Sequence, residues 1–428
     1  MPTRIPSKSA LIAVVALSLA HVASGGAVDD LIAKAIDANP GLEASRHAWR
    51  SAEAMTRFEK SLPDPMIGAK QMRAESTSFS DYEAIEYMVQ QDVPWPGKRG
   101  SKVNAARLEA EAAGFVYLEE LRNLRGKVTQ AYWNLWLADR TIETMKSGIR
   151  LIERMEESAL SAYESGKAMQ GDVLRAQIER ESMQNELTSM KQDRAVAMAE
   201  LNTLLHQPPD TVIDASDTPP LPTMDNDYRA MQEKARKFCC ILLSMIRMRD
   251  AKEAAVVAAK VERRPDLQFT IEARQFEESS DIEEYDTAIA LNIPWLWHGK
   301  YKAAIDRAGA DLAKAQAALD QETDKTMLEI QDLHTMSSNA RRTLILNEQS
   351  ILPKAISLVE SLSSSYQSGE VRLAEVIDTQ RTLLDVQLAA HKARADYGSQ
   401  VAMLNVIAAP WGPDEIATGL VTEEMNEE

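Results

Sequence analysis

The stretch YQSGEVRLAEVIDTQ, Tyr366–Gln380, has a twin in YESGKAMQGDVLRAQ, Tyr163–Gln177. Tyr163 and Tyr366, Ser165 and Ser368, Gly166 and Gly369, Val173 and Val376, and Gln177 and Gln380 are each 203 residues apart. Leu201-Asn202 recurs as Leu404-Asn405 at the same offset of 203, Pro94-Trp95 as Pro294-Trp295 at 200, and Pro63-Asp64 as Pro265-Asp266 at 202. Small insertions between these landmarks account for the drift. Solenoid repeats run to about 20–50 residues, so a self-similarity this long is a duplicated domain rather than an array. Each twin is a short Ser-Gly turn flanked by helical sequence, which reads as the tip of a helical hairpin.

The chain has 428 residues, 26% of them charged, with only 17 glycines and 17 prolines. That composition favours long helices over disorder, and the duplication argues for one body of two interlocked halves. The net charge of −17 disfavours a nucleic-acid partner, because phosphates would repel it. Cys239 and Cys240 are adjacent, a spacing that matches neither a disulfide nor a zinc site. Residues 1–25 have the form of a secretory signal: Arg4 and Lys8, the apolar run Ala10–Ala20, then small residues through Gly25. The run is too short to span a bilayer, and no cysteine follows it to carry a lipid. No later stretch is apolar enough for a transmembrane helix, so entry into a membrane would require β-strands.

Asp29–Leu62 reads as a helix interrupted at Asn39-Pro40 and closed by Pro63-Asp64-Pro65. The period then changes to two. In the first strand pair, 66–93, Ile85, Tyr87, Val89 and Val93 share one side, and Ser76–Asp81 fits a hairpin loop. In the second pair, 267–293, Leu267, Phe269, Ile271 and Ala273 oppose Gln268, Thr270, Glu272 and Arg274. Strands of about ten residues, apolar on one side, suit a transmembrane barrel, although a sheet on a soluble core alternates in the same way. Small closed barrels need about eight strands. Four per chain cannot close, and a trimer would supply twelve.

From Lys98 to Tyr163 there are 66 residues without proline, about 99 Å of helix. Leu121, Val128, Leu135, Ile142 and Ile149 recur at spacing seven, with Leu124, Ala131, Ala138, Met145 and Ile152 three residues after each. This is a coiled-coil seam. Gly171–Leu205 and Tyr228–Arg263 read as the returning helices. In the second copy Gly299–Ser365 descends, with a kink expected at Pro353, and Leu373–Ala408 ascends. The chain thus divides into a signal at 1–25, a first repeat at 26–222 with its hairpin at 98–205, a second repeat at 223–412 with its hairpin at 299–408, and an acidic tail at 413–428.

Asn39-Pro40, Pro63-Asp64-Pro65, the corner QQDVPWPGKRG at Gln90–Gly100 and the two YxSG tips, in this order and duplicated, resemble the TolC-type outer-membrane efflux channels. The Pro-Trp-Pro-Gly corner most resembles the heavy-metal branch, the CusC- and CzcC-like proteins. The resemblance spans essentially the whole mature chain. It implies a mainly α fold with a small β part, assembled as a homotrimer with a 12-stranded barrel in outer-membrane lipid and a 12-helix periplasmic tube. It implies as partners a periplasmic adaptor and an inner-membrane pump, met at the tips by Ser165, Gly166 and Lys167 and by Ser368, Gly369 and Glu370. It implies a channel constriction at Glu375 and Asp378, three apart and therefore on one helix face, and a gate latch between Asp172 and Tyr366. The arginine that accompanies this latch in the family is displaced, since Arg372 stands one place later than the pattern requires. Trp95 and Trp295 suit a membrane–water interface, and equally a packed strand–helix joint.

No GxSxG, HExxH, phosphate-binding loop or dinucleotide fingerprint is present. The sequence therefore points to no catalytic residue, no cofactor and no metal site. Cys239, Cys240, Met245 and Met248 could hold a soft metal, but as one apolar helix face they read as core fillers. Two other classes stay open from the residues alone: a periplasmic adaptor, and a soluble extracytoplasmic coiled-coil protein. An adaptor would carry one hairpin with compact β-domains, whereas here both hairpin and strand pair are duplicated.

Overall fold

The computed structural model describes residues 27–72, 83–215, 217–224, 227–276 and 281–421. The signal expected at 1–25 and the loop expected at Ser76–Asp81 lie outside the described residues. Each repeat opens with a broken helix, continues into two strands and ends in a long helical hairpin. Helices α1 (Ala27–Ala38) and α2 (Pro40–Lys60) are separated at Asn39. Pro40 disfavours helical geometry in the residue before it, and the Asn39 side chain donates from Nδ2 to the Leu204 carbonyl at 3.1 Å.

Strands β1 (Met66–Met72) and β2 (Ala84–Val93) pair antiparallel. Helix α3 (Lys98–Glu164) and α4 (Gln170–Leu204) form the first hairpin. In the second repeat α5 (Tyr228–Phe238) and α6 (Cys240–Val261) lead to β3 (Leu267–Phe276) and β4 (Glu284–Leu291). The second strand pair therefore stops two residues short of the expected 293, and Pro294–Trp297 forms a 3-10 turn. Helix α7 (His298–Leu346), a π turn at Asn347–Ile351, and α8 (Leu352–Gln367) descend, and α9 (Leu373–Ala408) returns. This π turn lies just before Pro353, the expected place of a kink, where proline removes a donor from the helical hydrogen-bond ladder.

Tyr228–Arg263 is not the single helix its sequence suggests. Cys239 is extended between α5 and α6, with φ −71° and ψ 109°. Asp227 caps α5 at its start by accepting the Arg229 N–H at 2.9 Å. At its end, Nη1 of Arg122 donates to the Phe238 carbonyl at 2.9 Å. Cys239-Cys240 lies 200 residues after Asn39-Pro40, so the break belongs to the duplication. The second copy has lost the proline that announces it in the first.

The four strands form one antiparallel sheet in the order β1-β2-β3-β4. Tyr87 faces Ala273, Val89 faces Ile271 and Val93 faces Leu267 at the border between the repeats. Ile67, Val89, Phe269, Ile271, Tyr285, Ile289 and Leu291 are all exposed on the described chain. The register puts these residues on one face. The other face carries Lys70, Glu86, Arg274 and Glu284 in one row, with Arg274 3.1 Å from Glu86 and 3.2 Å from Glu284.

The described residues fall into two compact units. One gathers those of Met1–Asn39, Leu124–Met224 and Leu333–Met403. Its core holds Met145, Ile149, Ile152, Val173, Val376 and Ile377 around the hairpin tips. The seam of α3 is buried as its spacing requires, except that Ala138 is half-buried. The other gathers those of Pro40–Asn123, Asp225–Asp332 and Leu404–Glu428 and contains the sheet. Here the expected acidic tail needs correction. Helix α10 (Pro413–Ile416) follows α9 closely, and Glu415 and Val421 are buried at 2% and 1% exposure. Glu415 meets the Arg122 guanidinium at 3.2 Å, which pins the segment; 422–428 lie outside the described residues.

Candidate functional site

Both tips are built in one way. After α3, the Gly166 N–H donates to Tyr163 O at 2.9 Å and the Lys167 N–H to Ala162 O at 2.8 Å. After α8, the Gly369 N–H donates to Tyr366 O at 3.0 Å and the Glu370 N–H to Ser365 O at 2.9 Å. These bond pairs are Schellman caps, which need a left-handed residue just past the helix. Gly166 and Gly369 supply it at φ +72° and +81°. Ser165 and Ser368 each return a hydroxyl bond to a carbonyl three residues back, at 3.0 Å. All six tip residues, Ser165, Gly166, Lys167, Ser368, Gly369 and Glu370, are exposed. YxSG is thus a helix-stop motif whose turn is presented to solvent.

Just past the second tip, Glu375 and Asp378 are both exposed on the first turns of α9. Each has an arginine close by: Arg372 lies 3.6 Å from Glu375, and the Asp378 charge acts on Arg381. Arg381 also reaches across to α4, where its Nε donates to Glu179 Oε1 at 2.7 Å and a second nitrogen meets Oε2. Glu179 is buried, so this two-pronged pair ties the two returning helices near the tips. The sequence carried no sign of it, because the repeat sets Thr382 opposite Glu179 and Ile178 opposite Arg381.

Tyr366 is half-buried against the tip core. Burial pushes its phenol above the ordinary value, and the Asp172 carboxylate adds to that shift. Among the described residues no hydrogen bond joins the two groups of the expected latch. The returning helices α4 and α9 are tied instead by Arg381–Glu179.

The strand-to-helix corner is held by a residue of the other repeat. Asp266 Oδ1 accepts the Trp95 N–H at 3.0 Å, and its Oδ2 accepts Lys98 Nζ at 2.8 Å. Lys98 is buried. Burial opposes the charge on Asp266, but the bonds from Lys98 and the Trp95 N–H hold its carboxyl below the ordinary value. Gly97 turns the chain at φ +96°. Trp95 is half-buried there, whereas Trp295 and Trp297 are 60% and 72% exposed. Cys239 and Cys240 are buried; burial pushes the Cys239 thiol up to about 11 and the Cys240 thiol up as well. Both remain protonated near neutral pH and pack as apolar fillers.

Residues 31–206 and 242–409 match the family described as outer membrane efflux protein. The chain belongs to that family. Each matched segment contains one tip and one long hairpin. The cobalt-zinc-cadmium resistance protein CzcC of Cupriavidus metallidurans is 21% identical over 300 residues, 68% of this chain and 69% of that protein. Among solved structures, the outer membrane protein VceC of Vibrio cholerae is 19% identical with a TM-score of 0.75, covering 89% of this chain and 96% of that one. CusC is 15% identical with a TM-score of 0.75, covering 91% and 96%. The outer-membrane channel OprN aligns with a TM-score of 0.78 at 15% identity, over 90% of each chain. The family places this efflux protein in the outer membrane and makes it a channel component. Among the described residues no helix is long and apolar enough to cross a membrane.

Proposed function

We propose that three copies of this outer membrane efflux protein form a passive exit duct that receives its cargo from a periplasmic adaptor and an inner-membrane pump. One observation carries the reading: a four-stranded sheet with two open edges and an exposed apolar face. Unpaired strand edges cannot stand in hydrocarbon, and four strands cannot close on themselves. Three copies supply the twelve strands and put the Lys70–Glu86–Arg274–Glu284 row in the lumen.

The exposed tips are the surface offered to the adaptor. Glu375 and Asp378 form two rings of three carboxylates at the periplasmic mouth, and Asp172 with Tyr366 marks the place where the gate moves. Heavy-metal ions are the cargo this reading favours, supported by the likeness to a protein named for cobalt, zinc and cadmium resistance and by the Pro-Trp-Pro-Gly corner. Native mass measurement in detergent is expected to give three chains. A monomer that keeps all its β-structure in detergent would refute the duct. Loss of the gene is expected to sensitise cells to divalent metal salts; sensitivity to dyes and antibiotics alone would refute the metal cargo.

A further inference from the structure

The duplication supplies the parts of one contact twice, and one chain makes it only once. Asp266, at the start of the second strand pair, fastens the Trp95 corner of the first repeat through the Trp95 N–H and Lys98. Asp64 is its counterpart 202 residues earlier, and the corner left for it is Pro294-Trp295. Asp64 is exposed and makes no hydrogen bond or ion pair among the described residues. The Trp295 N–H has no acceptor among the described residues either, although the next N–H, of Leu296, reaches Ile293 O at 3.3 Å. His298 stands 200 residues after Lys98, at the same first position of its helix, and Lys300 follows two residues later; both are exposed. Asp64 and Trp295 cannot meet within one chain, because β1 and β4 are opposite edges of the sheet, about 14 Å apart at three strand spacings.

We propose that Asp64 of one protomer fastens the Trp295 corner of a second copy, accepting its backbone N–H and pairing with Lys300. The occupant is a second copy because the border between β2 and β3 already displays this contact between repeats. The open edges β4 and β1 present the two halves of the same border. Charge is complementary, with a carboxylate on one side and on the other the Lys300 ammonium, which lies over the Tyr301 ring and has no ion pair among the described residues. The inference rests on the trimer reading and adds a named fastening at each of its joints.

The test uses full-length protein in outer-membrane preparations. With Asp64→Cys and Trp295→Cys in one chain, mild oxidation is expected to give a ladder of covalent dimers and trimers, and neither single variant should give one. The native cysteines are buried and do not compete. Asp64→Asn is expected to lower the temperature at which trimers dissociate in dodecyl sulfate. A trimeric wild type with no ladder, or a cross-link confined within single chains, overturns this fastening alone. A wild type that is monomeric in native detergent overturns the trimer and the fastening together.

Discussion

A methyl group built on Gly398 would sit 2.2 Å from the Trp133 ring, and that ring has nowhere to go. Trp133 is 2% exposed and meets Trp136 edge-to-face at 5.4 Å. Gly148 looks similar, since its added carbon would lie 2.8 Å from Met183 Cε, but a methionine terminus can swing aside. Gly398→Ala is therefore expected to destabilise the fold by about 1–3 kcal/mol through overpacking, and Gly148→Ala far less. Urea unfolding of the two variants side by side checks this; equal losses would mean that ring rigidity is not the cause. At Gly166 and Gly369 the added carbon would meet nothing within 4 Å, so only the left-handed φ is at stake, about 1–2 kcal/mol per residue. Double substitution by valine should leave trimers in the membrane and abolish transport, which plating on toxic metal alongside trimer detection would show. Loss of trimers instead would make the glycines folding residues only. The tip glycines were legible because Ser-Gly ends a helical pattern. Gly398 was not, since its constraint is a ring from α3, more than 260 residues away in sequence.

At the scale of elements, periodicity revealed what repeats along one chain and missed what one side chain does to another. The α3 seam, the strand pairs and both hairpins follow from spacing alone. The break between α5 and α6 does not, although the 200-residue offset from Asn39-Pro40 would have located it. Arg122 stabilises that break, with Phe238 O and Glu415 as acceptors and the Trp411 ring 4.4 Å from its guanidinium carbon. Arg122→Ala leaves a carboxylate buried without this partner, a change that costs about 3–5 kcal/mol. Arg122→Met with Glu415→Leu should recover part of that loss; chemical denaturation of both variants decides, and no recovery would show that the ion pair itself is required. A second element-scale prediction concerns pH. Burial first, and the Arg140 charge after it, hold the His391 imidazole below its ordinary value of 6.5. The folded state then binds fewer protons than the unfolded state below that pH. The site's contribution to stability is whole above 6.5 and declines as pH falls toward the folded value. His391→Gln should flatten the acid limb of the stability profile in that window, whereas an unchanged limb would assign the loss to other groups.

For the whole molecule, the question is what a threefold assembly makes of charges that are ordinary on one chain. Glu375 and Asp378 are solvated side chains on a single α9, each beside an arginine. In the proposed trimer they would become two stacked rings of three carboxylates. Rings of acidic side chains select cations, and a narrow mouth lined by one sign of charge concentrates them. The arginines temper the field without cancelling it. Arg381 is already engaged by Glu179, and Arg372 is 83% exposed, where an ion pair is heavily screened. The first hairpin cannot duplicate the rings, because Asp172 and Arg175 occupy the matching places. Glu375→Ala with Asp378→Ala should therefore weaken cation selectivity in planar bilayers and relieve block by multivalent cations while trimers persist. Severing the tie alone, with Arg381→Met, should raise conductance but keep the selectivity, because it frees the helices without removing the rings. If the double alanine variant keeps both block and selectivity, the constriction lies elsewhere and the acidic pair is a solvated surface. If Arg381→Met instead changes selectivity and leaves conductance alone, that arginine sets the field at the mouth and does not hold the helices together.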